Sequence, residues 1–349
     1  MINDLNKDIF FDANILENKH VSKLFPIFNI QLYKKYNSDL KDLDDAQLLE
    51  HYNTIGKSQM RIYFPLSFFK KDIVYIQTTK FGYYISNTIK YLLFKNFIIS
   101  NIIYEINHKN PNLHIILFSQ KVKKFPKNYI IYQLEQKDIS KWIDKKYELS
   151  ILYSKKTWDY SKSNINKFSN ILQKKITYLP IPLIPLNYLD NNIILNNSVN
   201  NPKNNILFYG SMNDIRKEKL QYLQKKLFPK YSIKIINNIY GIPLFNEIIN
   251  SKIILNIHFY KGALLETNRL NEILSCNKLI ISEKPDISDD YNYELYKNNI
   301  VFIDTIDEMY EKVIYLLKNN NITDFLNNLS YNNLDFKDLW KDEINNLLF

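Results

Sequence analysis

LNIHFYKGALLETNRLNEILSCNKLIISE, from Leu255 to Glu283, is the stretch on which the fold turns. Ile253 to Ile257 and Lys278 to Ser282 are apolar runs of strand length, and Leu265, Leu270, Ile273 and Leu274 recur between them at helical spacing. The order is strand, loop, helix, strand, and a connection of that length returns to a parallel neighbour, so the stretch predicts a βαβ unit. Its loop then lies at the carboxyl end of the first strand, where open α/β sheets bind ligands.

The loop and the first helical turns carry His258, Tyr260, Gly262, Glu266, Arg269 and Glu272, a set suited to an anionic, hydroxyl-rich ligand. Glu266, Arg269 and Glu272 stand three residues apart, which also fits an ion-pair ladder on a solvated helix face; spacing alone does not separate the two. Composition bears on the choice. Of 46 Lys plus Arg only Arg61, Arg216 and Arg269 are arginines, and the only glycines are Gly56, Gly82, Gly210, Gly241 and Gly262. Where lysine fills most needs for positive charge, the surviving arginines mark positions that need a planar, bidentate fork. The surviving glycines mark backbone that other residues resist.

Outward from this unit, two alternating series of strands and helices are legible. The first has strands at Ile73–Gln77, Phe97–Ile106, Leu113–Phe118, Tyr129–Leu134, Leu149–Tyr153 and Lys175–Leu179, with helices at Tyr83–Lys95 and about Trp158–Leu172. The second starts at Asn205, with strands at Ile206–Tyr209, Tyr231–Ile236, Ile253–Ile257, Lys278–Ser282 and Ile300–Ile303, and with helices among them. Repeated βα alternation predicts mainly parallel sheets covered by helices. The expected organisation is a helical module over 1–62, a Rossmann-like domain over 63–185, a proline- and asparagine-rich linker over 186–204, a second Rossmann-like domain over 205–330, and a C-terminal helix over 331–349 that lies back across the first domain. In the module, Asp44 is placed to cap a short helix with Ala46, Leu49 and Tyr52 on one face, and Gly56 to stop it. The Asp42-x-Asp44 pair reads as capping acids, since no strand precedes it.

At 349 residues the chain supports two domains with ample core, and 46% hydrophobic residues argue against disorder. The net charge is +10, with lysines scattered through almost every segment and no long block of one sign. That basicity reads as solubility with a mild pull on anions, and nucleic acid as a partner is only weakly supported. One cysteine, Cys276, rules out an intramolecular disulfide and a cysteine metal cluster. The N-terminus lacks a signal-peptide pattern and no apolar run reaches membrane-spanning length, so a cytoplasmic protein without a transmembrane segment is expected.

Phe208 to Lys217, FYGSMNDIRK, places Gly210 and Ser211 in a turn between a strand and a helix, with Arg216 and Lys217 following. Backbone N–H groups at such a helix start, with cations beside them, form a diphosphate cradle; an ordinary βα turn is the competing reading. No G-x-G-x-x-G or Walker sequence occurs, which disfavours NAD, FAD and P-loop chemistry.

On these residues the second half resembles the donor-binding domain of GT-B-type glycosyltransferases. The strand, Gly210–Ser211 turn and Arg216 are similar to the family's phosphate loop. Glu272 in LNEILSCNKLIIS resembles the glutamate of the family's E-A-x-x-x-G-x-P-V-I segment, which holds the ribose of a nucleotide sugar. In the retaining branch a second glutamate lies eight residues earlier; here position 264 is leucine and Glu266 stands six residues before, so that motif is not intact. YQLEQ at Tyr132–Gln136 and WDYS at Trp158–Ser161 look like a subgroup found in bacteria and large DNA viruses, which would place the protein in host cytoplasm if viral.

The resemblance implies transfer of a sugar from a nucleoside-diphosphate donor such as a UDP-sugar to the hydroxyl of a glycan, protein or lipid-linked acceptor, with no metal or other cofactor. Arg216, Lys217 and the helix terminus would neutralise the leaving diphosphate, Glu272 would hold the ribose, and His258, Tyr260 and Glu266 would face the sugar and phosphates. Glu135, at a strand's carboxyl end, is the candidate general base and His108 the second candidate. A nucleotide-sugar epimerase and a non-catalytic sugar- or nucleic-acid-binding protein are the other open classes.

Overall fold

A computed structural model of the chain describes residues 28–56, 61, 72–186, 189, 204–318, 322–327 and 332–348. Residues 1–27 of the expected N-terminal module lie outside these, as does all of the expected linker except Leu186, Leu189 and Asn204.

In the N-terminal segment, helices α1 (Ile30–Tyr36) and α2 (Asp45–His51) pack together. Asp44 caps α2 through a full capping box with Gln47. The buried face is Leu48 and Tyr52; Ala46 and Leu49 are exposed, and α2 continues as a π-helical turn over Tyr52–Gly56. Leu48 and Tyr52 stand four apart, the ordinary α spacing, so Leu48 takes the buried place expected of Leu49.

The first sheet contains β1 (Val74–Gln77), β2 (Ser100–Ile103), β3 (His114–Ile116), β4 (Tyr129–Gln133), β5 (Lys156–Asp159) and β6 (Ile176–Tyr178). Their order is β2-β1-β3-β4-β5-β6, every pairing parallel. Helix α3 (Tyr83–Lys95) has the expected bounds. Two expectations fail between β4 and β6. The apolar run Leu149–Tyr153 belongs to helix α4 (Lys145–Tyr153), which Asp144 caps and which buries Tyr147, Ser150 and Ile151 at helical spacing. The expected helix from Trp158 gives way to β5, followed only by the single turns α5 (Lys162–Ile165) and α6 (Asn170–Gln173).

The second sheet contains β7 (Asn204–Tyr209), β8 (Ile233–Ile236), β9 (Ser251–Asn256), β10 (Leu279–Glu283) and β11 (Val301–Ile303), in the order β11-β10-β9-β7-β8 and again wholly parallel. Helices α7 (Asp214–Leu227), α8 (Ile242–Ile249), α9 (Thr267–Leu274), α10 (Asp290–Tyr296), α11 (Ile306–Lys318) and α12 (Ile322–Asn327) connect and cover it. The β9–α9–β10 unit is the predicted crossover, with Leu279 paired to Ile253 and Ser282 to Asn256. Leu270, Ile273 and Leu274 anchor α9 on the sheet at 0–2% exposure, each contributing about 1.5–3 kcal/mol of hydrophobic stabilisation.

The final helix, α13 (Lys337–Leu348), returns to the first domain. Trp340 packs edge-on against Trp158, with ring centroids 5.2 Å apart, and donates Nε1–H to the Pro180 carbonyl at 2.7 Å. Glu343 accepts from Trp158 Nε1 at 2.8 Å and pairs with Lys156 at 2.6 Å. Among the described residues no helix is long and apolar enough to cross a membrane.

Candidate functional site

Each sheet has one place where the strand order reverses: between β1 and β3 in the first, between β7 and β9 in the second. Loops leaving carboxyl ends on either side of such a point diverge and leave a crevice. The two crevices face each other across one cleft of about 380 Å³. The first domain lines it with Lys80 and Phe81 after β1, Phe118 after β3, Glu135 and Gln136 after β4, and Tyr160 after β5. The second lines it with Gly210 and Ser211, the 236–241 loop, Phe259 and Tyr260, and Glu266, Asn268, Arg269 and Glu272.

The floor beneath Gly210 is built by two of the three arginines. Arg216, on α7, is 4% exposed; its Nε–H donates to the Ile257 carbonyl and its Nη1 to the Ser211 carbonyl, both at 2.8 Å, and its Nη2 lies 3.6 Å from Glu266. It thus ties the turn after β7 to the end of β9, and burial together with the neighbouring Arg269 lowers its pKa to about 10. Arg269, on α9, donates through Nη2 to the Tyr209 carbonyl at 2.5 Å and stacks over the Tyr209 ring, 4.2 Å from its centroid. Its Nε is buried without a partner and it faces the cleft, so Arg269 rather than Arg216 is the cation available to a ligand. Gly210 has φ +128, and a Cβ there would lie 2.8 Å from Arg269 Nη1.

Glu266 stands at the edge of this floor, partly exposed and facing the cleft. His258 Nδ1 is 3.4 Å from its Oε2, and burial, which alone would raise the carboxyl, is outweighed by His258, Arg269 and Arg216, which hold it at about 2. Conversely, burial disfavours the charged imidazole, but Glu266 and Glu283 lift His258 above its ordinary value. His258 Nε2 meets the Lys284 carbonyl at 3.1 Å, and the side chain is 6% exposed and outside the cleft. Glu266 and the buried His258 therefore belong to a charged network beside the Gly210 turn, not to the solvated ladder that spacing also allowed. Glu272 does face the cleft; it accepts from Tyr209 Oη at 2.9 Å, and burial raises it to about 7.

On the opposite wall Glu135 accepts from Gln120 Nε2 at 2.7 Å and Ser140 Oγ at 2.6 Å, and burial raises its pKa above the ordinary carboxylate value. Tyr260 reaches across from the second domain: burial raises its pKa, and the Glu135 charge raises it further. Besides Arg216 and His258, which are buried beneath the cleft, two expected residues do not reach it. Lys217 points to solvent on α7, one position past the buried Arg216, and His108 is exposed on the loop between β2 and β3. A helix turns about 100° per residue, so adjacent cations cannot share one face; His108 lies near His114, at the amino-terminal start of β3 and away from the cleft.

Several lining residues were given no role by the sequence, although Gln136 stands in the YQLEQ motif. Gln136 clamps the domains, donating to the Leu264 carbonyl at 3.2 Å and accepting from its N–H at 2.9 Å. Phe81 meets Tyr240 edge-on at 4.7 Å, and Lys80 lies 5.0 Å from the Tyr240 centroid. Nothing local marks such residues, because their partners stand more than a hundred positions away; only their places after strand ends could have drawn attention.

No family model matches the chain, and no curated protein matches it. Solved structures do. An alpha-glucosyltransferase in complex with UDP-glucose and DNA containing an abasic site is similar at TM-score 0.53 and 10% identity, over 79% of this chain and 99% of that one. The Anabaena protein HepE in complex with UDP and glucose is similar at TM-score 0.51 and 9% identity, over the same shares. A UDP-GlcNAc 2-epimerase from Neisseria meningitidis, bound to UDP-GlcNAc, is similar at TM-score 0.47 and 10% identity, over 79% of this chain and 99% of that one. The fold is of the GT-B type, two Rossmann-like domains facing a cleft, as the sequence resemblance implied.

Proposed function

We propose that the protein transfers a sugar from a nucleoside-diphosphate sugar to an acceptor hydroxyl. The observation that carries this reading is the pairing, across one cleft, of a glycine turn floored by Arg269 with a half-buried carboxylate, Glu135, whose pKa is raised. The donor's diphosphate lies over Gly210 and Ser211. There the start of α7 and Arg269 compensate the charge that grows as the bond from the anomeric carbon to phosphate oxygen breaks. Glu272 accepts from ribose hydroxyls. The acceptor oxygen attacks the anomeric carbon and gives its proton to Glu135, a stronger base for its raised pKa. Arg216 and His258 hold the floor rather than the ligand, Glu266, which they fix, faces the sugar and phosphates, and the charge of Arg269 takes the place of a metal ion.

Thermal stabilisation by a panel of nucleoside diphosphates and nucleotide sugars, with and without EDTA, tests this. A selective shift that survives EDTA is expected; no shift with any nucleotide would remove the reading. Turnover of donor without an added acceptor would favour the epimerase alternative instead.

A further inference from the structure

The charge of this chain is not evenly spread. Residues 72–186 hold 18 lysines and 7 acids, whereas residues 204–318 hold 15 basic and 14 acidic residues. Nearly all of the net positive charge therefore belongs to the first domain, although the lysines look scattered when the chain is read as a line.

One face of that domain combines this charge with exposed apolar side chains. Helix α4 buries Tyr147, Ser150 and Ile151 and turns Leu149, Leu152 and Tyr153 outward, at 41, 36 and 74% exposure. Their spacing of three and one residues puts them on a single stripe. Trp142, just before the helix, is 48% exposed, and Ile171 of α6, which packs beside α4, is 69% exposed. Lys141, Lys145 and Lys146 are exposed within the same segment. Its acids are engaged: Asp144 caps α4, and Glu148 pairs with Lys137 at 2.8 Å. Among the described residues no carboxylate pairs with Lys141, Lys145 or Lys146.

We infer that this face docks on an anionic lipid surface. Each other occupant leaves part of the patch unanswered. A nucleic acid backbone would take up the lysines but leave Leu149, Leu152 and Tyr153 against water or phosphate. A second copy meeting the same face through a two-fold axis would bury the apolar stripe but set lysines against lysines. A lipid interface accepts both: acyl chains cover the leucines, Trp and Tyr sit at headgroup level, and anionic headgroups meet the lysines. The face also adjoins the cleft, since Ser140, one residue before Lys141, donates to Glu135. The inference does not depend on the transferase reading, and its test reads binding alone.

The chain's three tryptophans make the test direct. Trp158 and Trp340 are 1 and 0% exposed, so a change of emission on adding vesicles reports Trp142. With vesicles of phosphatidylcholine and phosphatidylglycerol at low salt, the emission is expected to shift to the blue and the protein to sediment with them, and neither to occur with phosphatidylcholine alone. Trp142→Phe should lose the shift while still sedimenting. Lys145→Glu/Lys146→Glu should weaken sedimentation on the order of tenfold or more, and Leu149→Ser/Leu152→Ser/Tyr153→Ser should lower it as well, with the melting temperature unchanged in both. No sedimentation with anionic vesicles, or sedimentation that the triple variant leaves intact, overturns the inference. So does a wild-type dimer in size-exclusion chromatography that the triple variant converts to monomer.

Discussion

Gly210→Ala tests the turn after β7, the proposed diphosphate site, apart from the rest of the fold. At φ +128 the backbone is in a region that L-residues avoid, which costs about 1–3 kcal/mol. The entropy of unfolding scales with length, so for this chain that cost lowers the melting temperature by roughly 1–4 °C. The second effect is specific. The new methyl carbon would lie 2.8 Å from Arg269 Nη1, closer than real carbon–nitrogen contacts allow, and the guanidinium must tilt away because its other side is held by the Tyr209 carbonyl and ring. Losing one charge-assisted hydrogen bond to a ligand phosphate costs about 1.5–3 kcal/mol, a drop in nucleoside diphosphate affinity of roughly 10- to 150-fold. Titration calorimetry with the best-binding diphosphate measures this, and Gly262→Ala supplies the control. Gly262 has φ +69 and so carries a similar backbone cost, but lies outside the cleft with only Asp286 near its missing Cβ. It should lose stability and keep its nucleotide affinity. If Gly210→Ala binds diphosphate as tightly as wild type, the turn is not a phosphate cradle and the reasoning fails.

Three further outcomes are expected. Glu135→Gln should lower acceptor-dependent transfer by about 10²- to 10⁴-fold, as removal of a general base does, with nucleotide affinity unchanged in the same calorimetric assay. Asp159 is fully buried, and burial raises its pKa from 3.8 to about 8, so the stability it confers is complete below pH 4 and is lost as pH rises through 8; stability should fall by a few kcal/mol across that window, and chemical denaturation of Asp159→Asn should show a flatter profile. Trp340→Ala removes a fully buried side chain and orphans the Pro180 carbonyl, a loss of about 3–5 kcal/mol; scanning calorimetry should show a first-domain transition several degrees lower.

What the sequence made legible follows from how local each signal is. The β9–α9–β10 unit was readable because apolar runs of strand length flank a helix with a clear polar side. The rarity of arginine and glycine was informative for a physical reason. Arg216 and Arg269 lie together beneath Gly210, and Gly210, Gly241 and Gly262 all have positive φ. Arg61 instead makes a surface pair with Asp39. The segment from Lys145 to Gln173 was misread because α4 is apolar on both faces. Leu149, on the outside, stands between the buried Tyr147 and Ile151, and the exposed Leu152 and Tyr153 follow directly, so the run looks like a continuous strand. β5 was hidden by the opposite effect: Thr157 and Asp159 are polar yet wholly buried, satisfied by Ser154, Ser161 and Asn164. For the site, residue types after strand ends drew attention to Glu135, Arg269 and Glu272. Whether a cation faces ligand or floor, as with Arg269 and Arg216, depends on backbone carbonyls brought from other strands, which no local pattern records.

The central claim is that Arg269 and the Gly210 turn bind the diphosphate of a donor nucleotide. Calorimetric titration of nucleoside diphosphates and the matching monophosphates into wild type and Arg269→Ala, in the presence of EDTA, tests it most directly. The account predicts that one diphosphate binds at least about tenfold more tightly than its monophosphate, and that Arg269→Ala abolishes the difference. Equal affinities for diphosphate and monophosphate in wild type, or a preference that survives in Arg269→Ala, would contradict it.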